Sequence, residues 1–249
     1  PIMAINAGPK IVEDGLVFCV DAANKRSYPG AGTTWTDLTT NKNNGTFQNM
    51  TSSSFNADNA GSLTFDGSND YIDCGPTNGI IGNNPAAISL SAWFKTDNNT
   101  QSFYLASLKR LSTSSTLLSI TINQQPNNAF AANYLGFLYD TGDTGGDNGS
   151  GHKWLVVNNS TFYSKWNHIV ATVDVNAATL YVNGVQAGQN TTNTFAGPSR
   201  TGPSADFTIG AFGSSLFANA NISQVHVYNR VLSASEVQQN YLATKERYA

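Results

Sequence analysis

Carboxylates, imidazoles, thiols and aromatic rings are the groups in this chain that could do chemistry, and their spacing limits which chemistry. Glutamate occurs only at Glu13, Glu236 and Glu246. Glycosidic hydrolysis needs two carboxylates roughly 5–10 Å apart, and acids one residue apart on a strand share a face at about 7 Å. No E-x-D-x-E run is present, and Asp140 and Asp143, an aspartate pair of similar spacing, lie in a glycine-rich loop. There is no Gly-x-Ser-x-Gly elbow for a nucleophile. His152, His168 and His226 are scattered, without the Cys/His spacing of a zinc site. His168 and His226 fall inside strand patterns and read as structural imidazoles. Catalysis is not expected.

Binding fits the residue types better. Asp140–Asn148 (DTGDTGGDN) offers hard oxygens on a flexible backbone, with Asp140, Asp143 and Asp147 as candidate ligands for calcium, though not at EF-hand spacing. Asp66, Asn69 and Asp70 form a second candidate metal set, and capping of loop amides is the competing use of the same side chains. No cofactor is required by the pattern. Calcium is the one it admits, as a structural ion or a bridge to a sugar. A sugar site stacks an aromatic face on the ring while Asn, Asp and Gln take the hydroxyls. Tyr28 and Trp35, in the long loop after the first strand, and His152 and Trp154, after the acidic loop, are the candidates. Phe103, Tyr104, Tyr134 and Tyr139 lie in strands, and packing is expected for them and for Trp93 and Trp166.

The elements that must position these groups are short strands. The chain has 249 residues, 12% charged, with a net charge of -3. It is rich in Asn, Ser, Thr and Gly, which favour turns and pleated surfaces over helices. No apolar run approaches the roughly 18 residues of a membrane helix, and there is no basic excess for nucleic acid. Cys19 and Cys74 are too few for a disulfide scaffold and read as small apolar strand residues. The N-terminal PIMAINAGPKIVEDG lacks a charged region followed by a long apolar run, so no signal peptide is expected.

Residues 1–14 read as an arm that docks on the domain or on a neighbour, and residues 15–249 as one domain. Alternation places strands at 15–21, 45–48, 62–65, 71–74, 88–95, 102–108, 117–122, 132–139, 153–157, 168–173, 179–182, 206–210 and 222–228. In Ile88–Lys95, Ile88, Leu90, Ala92 and Phe94 define a buried face, and Ser89, Ser91, Trp93 and Lys95 a wetter one. Asn183-Gly184 supplies a tight hairpin turn. Phe65 and Tyr71 are expected to face the core around the Asp66–Asp70 turn. Ser233-Ala234-Ser235-Glu236 is a capping box, after which Val237, Tyr241 and Leu242 recur at helical spacing, as if to pack on a sheet edge. The fold class is all-β: an antiparallel two-sheet jelly-roll sandwich with a short C-terminal helix.

Four segments in order, SLTFDGSNDYIDCG (62–75), ISLSAWFK (88–95), WNHIVATVDVNAATLYVNGVQ (166–186) and FTIGAF with NISQVHVYNRVLSASEV (207–212, 221–237), resemble the laminin-G-like, concanavalin A-like superfamily. The resemblance implies the jelly roll. It leaves function open among lectins, adhesive modules, glycosidases and spacers. In the family's last strand an acid commonly stands where this chain has Ser223 or Gln224. The stretch AGPKIVEDGLVFCVDAANKRSYPGAGTTWTDL (7–38) further resembles the start of tailed-bacteriophage structural proteins that carry this module. That resemblance implies a non-enzymatic surface protein of the virion, decorating a capsid or attached to a tail or fibre, assembled in the host cytoplasm. Its expected partners are other virion structural proteins and host-surface glycans. Many copies, as a homo-oligomer or on a lattice, would strengthen weak contacts. The alternatives are a calcium-dependent bacterial lectin or adhesin and, behind it, a polysaccharide hydrolase.

Overall fold

The computed structural model describes residues 9–57, 61–82, 85–109, 116–125, 129–141, 152–192, 195 and 206–249. The strands are β1 (Leu16–Asp21), β2 (Thr34–Trp35), β3 (Gly45–Gln48), β4 (Phe55–Asn56), β5 (Ser62–Asp66), β6 (Tyr71–Pro76), β7 (Ile88–Lys95) and β8 (Phe103–Lys109). They continue with β9 (Thr116–Gln125), β10 (Ala129–Asp140), β11 (His152–Asn158), β12 (Asn167–Val173), β13 (Ala178–Val182), β14 (Val185–Asn190), β15 (Asp206–Ile209) and β16 (Asn219–Tyr228). One antiparallel sheet runs β14-β13-β12-β7-β16-β5-β4, with β1 also on β16; the other runs β11-β10-β9-β8-β15-β6-β3-β2. A short helix, α1 (Thr77–Ile81), follows β6, and α2 (Ala234–Thr244) follows β16. The all-β sandwich is as the alternation implies.

Period-2 burial joins the two layers. Phe18, Val20, Leu90, Phe94, Ile169, Val225 and Val227 of the first sheet share one core with Ile72, Leu105, Ile120, Phe137, Phe207 and Ile209 of the second. Phe18 meets Phe207 edge-on across the layers at 5.1 Å. Such fully buried rings are worth about 2–3 kcal/mol each relative to exposure. The β13–β14 hairpin turns at Asn183 (φ 51) and Gly184 (φ 80), the two positive angles that make Asn-Gly fit this position. Cys19 and Cys74 are both buried and free. Burial, then Asp21 and Asp37, pushes the Cys19 thiol up to about 12.

The face of β7 expected to be wet is dry. Ser89, Ser91 and Trp93 are buried along with their inward-facing neighbours. The cause is the C-terminal segment, which lies over the outer face of the sheet and not against its edge. The Trp93 ring stacks on Tyr248 at 4.1 Å and on Tyr241 at 5.8 Å, and its Nε1 donates to Thr244 Oγ1. Val237 packs with Val12, Val170, Tyr181, Tyr228 and Leu232 in a second, smaller core, whereas Leu242 points to solvent. The capping box forms, with the Glu236 amide donating to Ser233 Oγ and the Ser233 amide to Glu236 Oε2. Arg247 Nη1 reaches Asp21 at 2.8 Å. Of the expected arm, residues 9–14 dock on the domain itself: the Val12 amide donates to Asn240 Oδ1, and Gln239 Nε2 to Lys10 O.

Candidate functional site

Antiparallel pairing sorts the loops between two ends of the sandwich. Asp66 closes β5 opposite Asn219 at the start of β16, while Lys95 closes β7 opposite Asn221. The 66–70 turn, the 96–102 loop and the 210–218 loop therefore gather at one end. Asp140 closes β10 opposite His152 at the other, because Tyr139 pairs with Leu118 and Leu135 with Ile122, which pairs in turn with Phe103. Asp140 and the Asp66–Asp70 turn are thus at opposite ends of the sandwich.

At the first end, Asp97, Asn98, Asn99, Thr100, Gln101 and Asn219 line a cleft of about 340 Å³. Its wall is stapled from below. Thr96 Oγ1 donates to Asn219 O at 2.7 Å and accepts from the Asn98 amide at 3.0 Å. Asn98 Oδ1 accepts from the amides of Thr100 and Gln101. Asn123, fully buried with φ 56, donates through Nδ2 to Asn98 O and Gln101 O, and its Oδ1 accepts from the Tyr163 hydroxyl at 2.6 Å. Gln101 Nε2 spans to Gly67 O, and Gly67 (φ 78) packs so tightly that a Cβ there would sit 2.9 Å from Asn219 Cβ. With these side chains spent on the scaffold, Asp97, Asn99 and Asn219 are exposed and their side chains make no hydrogen bond among the described residues. At the same end, the partly exposed rings of Tyr71, which opens β6 directly after the 66–70 turn, and Phe217, in the 210–218 loop, lie 6.1 Å apart.

The sequence-derived candidates divide sharply. Asp66 Oδ1 accepts from the amides of Ser68 and Asn69, and Asp70 Oδ2 from the Asp66 amide, so both carboxylates cap their turn. Burial and then the Asp66 charge raise the Asp70 pKa. The Asn69 carbonyl accepts from Asn49 Nδ2. Tyr71, expected in the core, is instead partly exposed and meets the Phe217 ring. Tyr28 and Trp35 are packed as core rings: Trp35 is wholly buried as part of β2, and Tyr28, 1% exposed, packs between Phe47 and Phe55 at the edge of a pocket lined by Pro29, Gly30 and Phe55. The long loop folds back as a strand and takes its rings into the core. Asp37 pins it there, accepting from the amides of Cys19, Thr39 and Asn43. His152 and Trp154, expected as an exposed pair, are buried on β11, and Asp140 is buried at the end of β10. Asp143 and Asp147 lie outside the described residues. Among the described residues no three of His, Cys, Asp and Glu are grouped closely enough to hold a metal ion.

His168 and His226 are buried under the C-terminal segment. Burial, followed by the His226 charge, takes His168 down to about 3, and burial dominates in lowering His226 to about 4. Trp166 is partly exposed and contacts the Tyr248 ring at 5.0 Å.

Comparison with known proteins bears on the fold. A family model of the concanavalin A-like lectin/glucanases superfamily, of laminin-G type, matches residues 66–238. No curated protein matches the chain. Among solved structures, Trypanosoma rangeli sialidase in complex with sialic acid is similar at TM-score 0.65 and 16% identity, over 99% of this chain and 36% of that one. The receptor-binding domain of a botulinum neurotoxin C/D mosaic serotype is similar at TM-score 0.64 and 13% identity, over 92% of this chain and 51% of that one. That of type G gives 0.59 and 15%, again over 92% and 51%. This chain thus spans about a third of the sialidase and half of the toxin domains.

Proposed function

The chain belongs to the concanavalin A-like lectin/glucanases superfamily, and on that premise we propose that it is a non-catalytic binding module that holds glycans at its loop-bearing end. The observation that carries the reading is the cleft whose scaffold is internally satisfied while Asp97, Asn99 and Asn219 keep their polar groups uncommitted, at the end of the sandwich that also carries the Tyr71 and Phe217 rings. Hydroxyl-rich ligands need that combination of acceptors, amides and an apolar ring face. The superfamily is named for lectins as well as glucanases, which is compatible with a sugar-binding use of this sandwich. The non-catalytic reading is supported by the placement of the glutamates: Glu236 is engaged by Arg230 and the helix cap, Glu246 lies beside Lys245, and Glu13 is on the exposed N-terminal stretch. A bound metal is not required by this chemistry.

In this proposal the module is displayed in many copies on a bacteriophage particle, where multivalency makes weak contacts effective. The support for that setting is the resemblance of residues 7–38 to tailed-phage structural proteins. A glycan array probed with the full chain, displayed multivalently on beads, tests the binding. Retention of defined glycans, with no reducing ends released, supports the reading; no retention, or turnover of a bound glycan, overturns it. Mass spectrometry of purified particles tests the setting, and absence of the chain from them would refute it.

A further inference from the structure

We infer that the cleft between Asp97 and Asn219 selects uncharged sugars and discriminates against sialylated, uronate or sulfated ones. This rests on the glycan-binding reading above and deepens it. The residues lining the cleft include one carboxylate, Asp97, and neither lysine nor arginine. Asp97 is exposed and joins no ion pair among the described residues, so its charge is free to act on a ligand. The adjoining turn adds Asp66 and Asp70, which also lack a cationic partner there and whose hydrogen bonds come from backbone amides. Lys95, the nearest basic residue along the chain, ends β7 on the alternate row shared with Trp93 and does not line the cleft.

Chemistry then favours one ligand class. A carboxylate with free lone pairs accepts from two neighbouring sugar hydroxyls, and each amide of Asn99 and Asn219 both donates and accepts. An anionic sugar brings a second negative charge about one ring width away, roughly 6 Å, and no lysine or arginine lines the cleft to pair it; Lys109 is held over the Phe212 ring in the 210–218 loop. The repulsion weakens binding by about threefold at the dielectric of water and by about 100-fold at the effective dielectric of a protein surface. Salt narrows that gap, since the charges are exposed.

The test uses the full chain on matched neutral and sialylated glycans, such as N-acetyllactosamine series with and without terminal sialic acid, extended to glucosides, uronates and sulfated sugars, at low and at high salt. Expected are retention of at least one neutral series, loss of about tenfold or more when that series carries an anion, and partial recovery in salt. Asn99→Ala and Asn219→Ala should each weaken neutral binding about tenfold, and Asp97→Asn should relieve the discrimination. Both asparagines are exposed, and unchanged thermal melting will show that the variants fold. Preferential retention of sialylated or sulfated glycans overturns this inference and leaves the glycan-binding reading standing. So does neutral binding indifferent to all three substitutions. No retention of any glycan overturns both.

Discussion

Acidification should loosen this protein from beneath its C-terminal helix before it titrates the helix cap. His168 and His226 are 2% and 4% exposed. They share the covered face of the sheet with Trp93, Cys19 and Asp21, under Tyr241, Arg247 and Tyr248. Their folded pKa values are about 3 and about 4, against about 6.5 unfolded. Both are bases with a depressed folded pKa, so the unfolded chain takes up protons that the folded one refuses. Stability is fully present above about pH 6.5 and falls as pH drops from there toward the folded values. Two pH units below the unfolded value, at about pH 4.5, each histidine has removed about 2–3 kcal/mol, and the pair about 5. In a domain of this size that is a fall in Tm of about 10–20 °C. Glu236 does not confuse the window. Arg230 holds it down at about 2, so its contribution is lost only from about pH 4.5 downward.

The assay is urea unfolding from pH 8 to 4.5, followed by tryptophan fluorescence, since Trp93 stacks on Tyr248. Between about pH 6 and 4.5 the free energy should fall by about 2 kcal/mol per pH unit, corresponding to a little under two protons. His168→Gln and His226→Gln should each remove about half of that slope, whatever they do to stability at pH 8. A flat profile in the wild type, or a slope unchanged by both substitutions, would show that the two buried imidazoles do not set the acid response.

Three further outcomes follow from the packing. Gly210→Ala should destabilise by about 3 kcal/mol or more, checked by thermal melting, because φ is 82° and a Cβ would lie 2.3 Å from the Phe65 ring. Ser233→Ala should cost about 1 kcal/mol by denaturant unfolding, through loss of the capping box that also engages Glu236. Neither cysteine should react with an aromatic disulfide reagent at pH 8 until denaturant is added, since both thiols are buried and raised.

Sequence alone determined what is local. Strand alternation, the Asn183-Gly184 turn and the Ser233–Glu236 cap are written in neighbouring residues, because side-chain direction repeats every two positions in a strand and turn or cap chemistry acts within four. The Asp66–Asp70 turn was legible for the same reason, as was the burial of His168 and His226 inside strands. Strands β2 and β4, two residues each, and the uncharged β14 carry too little pattern to announce themselves. Tertiary structure decided the rest. Which side of β7 stays dry depended on where the C-terminal helix lands, and Tyr28 and Trp35 became core because a polar loop folded back on the sheet. The cleft joins residues 97–101 to Asn219, more than a hundred positions away. Strand order brings them together, and strand order is fixed by the summed burial of the whole core, not by any segment read on its own.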